Sequence, residues 1–172
     1  PMGVRVYRTK VGDINVSLAM QRYHAFLGGE NCGVYIWPEF TNHMAPDSLA
    51  AIVILLKYLW KYDVKFSELL KDIPEFPYIQ KEYHLQSNLT ITDEMYEDIA
   101  KELIPLLTQK GYHNIRKTME DGLHLLFDEG WLLIRKSGTT PMMRINAESK
   151  TDLAASMKIL EIGLDVMKKF IS

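Results

Sequence analysis

The sequence predicts a partial α/β domain followed by an α+β domain, in which a four-stranded antiparallel sheet is covered by two helices. Three observations lead to this prediction. Apolar residues recur with strand-like and helix-like periods along the chain. Two prolines within four residues, Pro74 and Pro77, mark a boundary. Beyond that boundary the order is strand, helix, strands, helix, which is typical of helices packed on one face of a sheet.

The first part, residues 1–73, is expected to alternate between strands and helices. Strands are predicted at 4–7, 25–27 and 34–37, and helices at about 15–24, 47–62 and 66–71. Asp47 follows a proline and is a suitable N-cap for the longest of these helices. Because that helix is apolar on nearly every side as far as Lys57, we expect it to be buried between layers.

Residues 74–77 are the predicted linker, and residues 78–172 form the predicted α+β domain. Its strands are expected at 78–85, 114–120, 123–128, and 131–136 continuing into 142–148. Asp121-Gly122 and Glu129-Gly130 are tight-turn signals between strands. The helices are expected at 92–110, where Pro105 would kink or divide the helix, and at 149–170, where Ser149 and Asp152 resemble a capping box.

Composition excludes several classes of protein. The 172 residues are 47% hydrophobic and 24% charged, with a net charge of −2, which predicts a soluble globular protein with no nucleic-acid or membrane partner. A single cysteine, Cys32, excludes an internal disulfide and fits a reducing cytoplasm. The longest apolar run, 49–56, is shorter than the ~20 residues that a membrane helix needs, and residues 1–10 do not resemble a signal peptide. The histidines show no metal-ligand spacing, so we expect no metal site.

Residues 135–141 have the composition of a phosphate clamp between two strand-like segments. Arg135 offers a planar fork of donors that matches phosphate. Ser137 and Thr139 add hydroxyl donors, and Gly138 is expected to let backbone N–H groups form an anion-binding nest. The alternative is a hairpin turn with an incidental arginine. Arg144, in the following strand, is expected to have a structural partner rather than a ligand.

Residues 28–33 contain three glycines and are expected to form a loop between two strands. The carboxylate of Glu30 accepts hydrogen bonds only, which suits a pair of neighbouring sugar hydroxyls. The alternative is that Glu30 caps or charges an exposed turn.

In this order, the motifs resemble the C-terminal part of the phosphohexomutases, the family of phosphoglucomutase, phosphomannomutase and phosphoglucosamine mutase. Residues 8–13 (RTKVGD) resemble the family's Thr-x-Val-Gly-Asp turn. Residues 28–33 (GGENCG) resemble its sugar-binding loop, Gly-Glu-x-Ser-Gly-His. Residues 135–141 (RKSGTTP) resemble its phosphate-binding loop, Arg-x-Ser-Gly-Thr-x-Pro, and residues 47–51 are a weaker match to an Asp-Gly helix start.

The resemblance assigns roles to six residues. It implies phosphate binding by Arg135, Ser137, Gly138 and Thr139, and contact with sugar hydroxyls by Glu30 and Cys32. Cys32 stands where the family has serine, and Val34 stands where the family has histidine. Both changes remove polar contacts to a sugar. The alternative for Cys32 is a small buried apolar residue.

Two of the family's loops do not occur in this sequence, the Ser-His-Asn-Pro-type loop with its phosphorylated serine and the Asp-x-Asp-x-Asp magnesium loop. The family interconverts hexose 1-phosphate and hexose 6-phosphate with magnesium and a hexose 1,6-bisphosphate intermediate. We therefore expect no catalytic residue in this chain, no bound cofactor, and no activity of the chain alone. Because it begins with proline in mid-domain, we expect it to be cut from a longer protein.

The partners expected from the resemblance are a hexose phosphate and the N-terminal domains of the parent enzyme. The alternative is a non-enzymatic module that binds a sugar phosphate or a protein partner.

Overall fold

The architecture is taken from a computed structural model that describes residues 3–85 and 89–171, apart from the side chain of Asp72. The chain divides into two compact units, Pro1–Pro74 and Glu75–Ser172. Each unit has its own hydrophobic core.

The first unit is built from short elements around a two-stranded hairpin. In chain order these are α1 (Asp13–Tyr23), β1 (Gly28–Glu30), β2 (Val34–Ile36), α2 (Pro38–Thr41), α3 (Ser48–Tyr62), α4 (Phe66–Leu69) and a 3₁₀ turn (Leu70–Asp72). β1 and β2 pair antiparallel, with Glu30 opposite Val34. The buried core consists of Val16, Met20 and Ile36.

The predicted strands at 4–7 and 25–27 are wrong. Residues 4–7 lie in no strand, because none of the described residues pairs with them, and Val4 and Val6 are exposed. The strand instead begins at Gly28, within the segment expected to be a loop. Glycine is required there by close packing: a Cβ on Gly28 would lie 2.3 Å from the Met20 sulfur, and one on Gly29 would lie 2.8 Å from the Val34 carbonyl oxygen.

Helix α3 begins as predicted but is not buried. The Asp47 Oδ1 atom accepts a hydrogen bond from the Ala50 backbone N–H at 2.8 Å, as an N-cap should. However, no residue of α3 is buried; Leu49 is 78% exposed and Trp60 is 86% exposed. The prediction of a helix between two layers is therefore wrong for this unit, since its described residues provide no second layer over these side chains.

The second unit is an antiparallel sheet with two long helices. Its elements are β3 (Tyr78–His84), α5 (Asp93–Gln109), β4 (Arg116–Thr118), β5 (Leu123–Phe127), β6 (Gly130–Lys136), β7 (Met142–Ser149) and α6 (Leu153–Ile171). The strand order is β3-β7-β6-β5-β4. The sheet thus has five strands rather than the predicted four. The run expected to continue as one strand reverses at residues 137–141, and its two halves pair antiparallel, with Arg135 opposite Arg144.

The core lies on the face of the sheet that is covered by α5 and α6. Residues that alternate along the central strands point into it and are fully buried, among them Leu125, Leu132, Ile134 and Ile145. Burial of each such side chain contributes about 1.5–3 kcal/mol. Pro105 lies inside α5, which nonetheless runs unbroken between Asp93 and Gln109.

Helix α6 begins at a different cap from the predicted one. The Asp152 Oδ1 atom accepts the N–H of Ala155 at 2.8 Å, whereas the Ser149 hydroxyl pairs with Thr151. Asp152 is therefore the cap, and Ser149 belongs to β7.

The opposite face of the sheet carries the alternate side chains, many of them polar. One row across it runs from Glu82 on β3 to Arg144 on β7 and Arg135 on β6. β5 begins at Leu123, opposite Ile134. The row therefore ends at the turn that precedes β5.

Candidate functional site

The β6–β7 connection, residues 137–141, is a loop tied mainly to itself. The Ser137 N–H donates to the Met142 carbonyl, and the Met142 N–H donates to the Thr140 carbonyl, both at 2.8 Å. The Thr140 hydroxyl donates to Ser137 Oγ at 2.8 Å. Ser137 is only 4% exposed. Its side chain therefore stabilises the loop from inside and has little surface with which to contact a ligand.

The loop forms one wall of a cleft of about 280 Å³. Ser137, Gly138 and Thr139, three of the predicted phosphate ligands, line it. The remaining lining residues are Leu85, Leu89, Lys136, Thr140 and Pro141. The volume lies just below the range of ~300–1,000 Å³ typical of small-molecule pockets. It therefore suits a small ligand better than a large one.

The backbone of the loop corrects the expectation of an anion-binding nest. Gly138 is not among the left-handed residues of the chain, and the N–H of Ser137 is occupied by Met142. The Gly138 N–H, in contrast, donates to none of the described residues. A Cβ on Gly138 would meet nothing within 4 Å. Glycine is thus not required by the fold here, and the space above it is open to a ligand.

Arg135 does not line this cleft, and its side chain belongs to the face of the sheet opposite the core. Its side chain is 12% exposed, and its nearest charge is Asp121, with Nε 4.0 Å from Oδ2. The Nε atom is buried and has no hydrogen-bond partner. A buried guanidinium without full pairing is costly. The site therefore contains a cation that an anion would stabilise.

Asp121 comes close to Arg135 because of the glycine that follows it. Gly122 has φ +84°, which favours glycine. A Cβ at this position would lie 2.4 Å from the Ile134 carbonyl oxygen and 2.8 Å from the Cβ of Arg135. Only a residue without a side chain lets the β4–β5 turn pack this tightly against β6. The sequence signal for this contact is the Asp121-Gly122 pair, which by itself predicts only a turn.

Tyr96 is a second residue that sequence reasoning missed. It is buried on α5, and its hydroxyl accepts the backbone N–H of Lys136 at 2.9 Å. Burial raises the pKa of the Tyr96 hydroxyl, the hydrogen bond from Lys136 opposes that rise, and the carboxylates of Asp121 and Asp93 add to it. The tyrosine therefore stays neutral at physiological pH. A tyrosine on an amphipathic helix gives no sequence signal for this role.

The glycine-rich hairpin of the first unit positions Glu30. Its Oε1 atom accepts the backbone N–H of Gly12 at 2.8 Å, and Gly12 is the N-cap residue of α1. The carboxylate thus accepts a backbone hydrogen bond at the start of the helix, where the helix dipole favours a negative charge. The Oε2 atom accepts no hydrogen bond from residues 3–85 or 89–171. Cys32, in the same turn, is exposed, so its interpretation as a buried apolar residue is wrong.

The other residues singled out by the sequence do not form a further site. Arg144 Nε donates to Glu82 Oε1 at 3.1 Å, the structural partner expected for it. Residues 3–85 and 89–171 hold no group of three or more His, Cys, Asp or Glu side chains that could bind a metal ion. No helix in these ranges is both long and apolar enough to cross a membrane.

Comparison with protein families gives two matches that together account for most of the chain. Residues 1–76 match the model for phosphoglucomutase/phosphomannomutase, alpha/beta/alpha domain III. Residues 88–161 match the model for the C-terminal domain of the same family.

Similar proteins extend the match to nearly the full chain. A phosphoglucomutase/phosphomannomutase of Thermococcus kodakarensis is 30% identical over 97% of this chain and 34% of its own length. A phosphoglucosamine mutase of Methanococcus aeolicus is 33% identical over 97% of this chain and 35% of its own length. A family member from Burkholderia thailandensis shares the fold, with TM-score 0.65 and 23% identity over 94% of this chain and 32% of that one. The chain spans about a third of the length of these relatives.

Proposed function

The chain belongs to the phosphoglucomutase/phosphomannomutase family, and we propose that it is the substrate-holding C-terminal portion of a hexose-phosphate mutase. Such an enzyme interconverts hexose 1-phosphate and hexose 6-phosphate through a phosphoserine and a hexose 1,6-bisphosphate. The reaction requires that one phosphate be held as a pivot while the other is transferred. This chain would supply that positioning, and no bond-breaking step is assigned to it.

The second unit would bind the phosphate. The observations that carry this proposal are the cleft lined by Ser137, Gly138 and Thr139 and the incompletely paired guanidinium of Arg135, two residues before that loop. A phosphate oxygen in the cleft could accept from the Gly138 N–H and from the hydroxyl of Thr139. The Arg135 fork would add charge-assisted hydrogen bonds, which are roughly twice as strong as neutral ones.

The first unit would bind sugar hydroxyls through the turn that carries Glu30 and Cys32. The Oε1 atom of Glu30 is already used by Gly12, which fixes the carboxylate in place. The Oε2 atom would then accept from a hydroxyl of the hexose. Because a thiol is a weak donor, the exposed Cys32 would add less than the serine that is usual there, which favours looser recognition of the sugar.

The catalytic serine, the magnesium ion and the N-terminal domains would belong to the rest of the parent enzyme, as would the binding of bisphosphate. The described residues do not fit a magnesium site. We expect a cytoplasmic setting for the parent enzyme. The 172-residue chain alone should not turn over glucose 1-phosphate or mannose 1-phosphate, even with magnesium and bisphosphate added.

The proposal is tested by titrating the isotopically labelled chain with inorganic phosphate and then with glucose 6-phosphate at constant ionic strength. We expect shifts at the amides of Gly138 and Thr139, with affinity no better than about millimolar, which corresponds to ~4 kcal/mol. Arg135→Ala should abolish binding, whereas Arg135→Lys should leave a remnant because it keeps the charge without the fork. Arg116→Ala, an exposed arginine on edge strand β4, is the matched control.

Two results would count against the proposal in different ways. If the loop amides do not respond while others do, residues 135–141 are an ordinary hairpin turn. If phosphate binds and the parent protein shows no mutase activity, the alternative of a non-enzymatic sugar-phosphate-binding module is favoured instead.

A further inference from the structure

We propose that Asp121 is a positioning residue for Arg135, which holds the guanidinium ready for an anion without using its terminal nitrogens. The inference rests on the proposed phosphate-binding role of Arg135 and adds a residue outside the loop to that site. Asp121 lies in the turn between β4 and β5. It would act through Arg135 and would not touch the ligand itself.

The geometry of the pair supports this role. Asp121 approaches Arg135 through Nε, with Oδ2 at 4.0 Å. This distance is too long for a hydrogen bond, so the carboxylate neutralises the buried inner edge of the guanidinium without consuming a donor. No nitrogen of Arg135 donates to the residues that the structure describes. The two terminal nitrogens therefore remain available for a bidentate contact with phosphate.

The arrangement of charges across the sheet supports the assignment of one carboxylate to each arginine. Arg135 and Arg144 are directly opposite each other on β6 and β7, where two like charges repel. Glu82 binds Arg144 from one side, and Asp121 faces Arg135 from the other. The row thus has an acidic residue at each end and two arginines between them.

Asp121 has two opposite effects on an incoming anion. Its negative charge lowers the positive potential of the site, which weakens attraction for phosphate. Its ion pair also holds Arg135 in one buried conformation, which lowers the entropy cost of binding. Because Arg135 is nearly buried and its Nε lacks a hydrogen bond, loss of the carboxylate would favour a solvent-exposed conformation. We therefore expect positioning to outweigh the loss of potential.

Asp121→Asn and Glu82→Gln separate these effects. Each change removes the one negative charge that faces one of the two arginines, and each keeps the shape of the side chain. If potential alone mattered, both would strengthen phosphate binding by the 172-residue chain. The proposal requires that the two variants differ. Asp121→Asn should weaken the binding of inorganic phosphate by about two- to tenfold, which is the cost of ordering one long side chain. Glu82→Gln should leave that binding equal or slightly tighter.

The Nε–Hε signal of Arg135 in a ¹H–¹⁵N spectrum gives a readout that needs no ligand. In the original chain this proton should exchange slowly with water because Nε is buried. Asp121→Asn should move the signal and speed its exchange, and Asp121→Glu should restore it in part. An unchanged Nε signal in a folded Asp121→Asn protein, or tighter phosphate binding by that variant, would overturn the positioning role. Failure of the original chain to bind phosphate would instead contradict the proposed function, while the Nε signal would still decide the role of Asp121.

Discussion

The Tyr96 hydroxyl on α5 accepts the backbone N–H of Lys136, the last residue of β6, at 2.9 Å. The adjacent N–H, that of Ser137, donates to β7, so the N–H of Lys136 points to the other side of the strand. There, β5 begins only at Leu123, opposite Ile134. A helix side chain thus replaces the missing strand at the residue that leads into the phosphate loop.

Removing this hydroxyl should destabilise the second unit. Tyr96→Phe leaves the part-buried Lys136 N–H without its partner, and we expect a loss of about 1–3 kcal/mol in the free energy of unfolding. Urea denaturation of the full chain measures it. Tyr112→Phe is the control, because the Tyr112 hydroxyl bonds to none of the described residues, and it should change the free energy by less than about 0.5 kcal/mol. Equal losses in the two variants would contradict the bridging role of Tyr96.

Gly138→Ala should separate ligand binding from folding. The added methyl group meets no atom within 4 Å, and the residue is not left-handed, so the stability should be unchanged or slightly higher. The same methyl group would stand where a phosphate approaches the Gly138 N–H, and we expect clearly weaker phosphate binding. Thermal denaturation measures the stability, and phosphate titration measures the binding. A variant that binds as well as the original chain would place the ligand elsewhere.

A pair of residues outside the site should make stability depend on acid pH. Burial raises the pKa of the Glu129 carboxyl, but hydrogen bonds from the ring and backbone of His113 outweigh burial and lower that pKa overall. The interaction therefore stabilises the fold above the unfolded-state pKa of about 4.3 and is lost as the pH falls through the lower folded-state value.

Glu129→Gln is the corresponding test. Urea denaturation from pH 7 down to pH 3 should show the variant less stable by up to about 0.5 kcal/mol near neutral pH, a small value because the pair is partly exposed. This difference should shrink at the acid end. Glu161→Gln, an exposed residue on α6, is the control. If the difference from the original chain grew as the pH fell, the sign of the argument would be wrong.

The second unit should fold without the first. Residues 75–172 contain a complete five-stranded sheet and both helices that cover it. Among its described residues, the first unit has a core of three buried side chains, and none of the residues of α3 is buried. We expect residues 75–172 to unfold cooperatively and to give a dispersed amide spectrum that overlays that of the same residues in the full chain. A molten or insoluble fragment would mean that the unit needs the preceding residues.

The sequence predicted those elements whose signals are local. The N-cap of α3 at Asp47 and the turns at Asp121-Gly122 and Glu129-Gly130 depend on residue types within a few positions of each other. The strand-like segments on either side also located residues 135–141 at a strand connection. Burial was harder to predict. The apolar pattern of α3 shows that the helix needs a partner surface, but it does not show that the chain supplies one.

The relationships that sequence reasoning missed are long-range. Asp121 reaches Arg135 only because Gly122 lets two strands pack closely, and Tyr96 reaches Lys136 across 40 positions of the chain. The fifth strand was missed because the turn at 137–141 was placed correctly but its reversal of direction was not followed into the strand count. Such contacts follow from the register of the sheet, which no short stretch of sequence encodes.

The position of β3 at one edge of the sheet has a consequence during protein synthesis. Among the described strands it pairs with β7 alone, and the pair between Glu82 and Arg144 spans 62 residues. When the ribosome makes the chain, β3 emerges before every other strand of its unit, and its partner emerges after all of them. The sheet can therefore close only after residue 149 has been made, and until then the apolar side chains of β3 lack the strand that pairs with it.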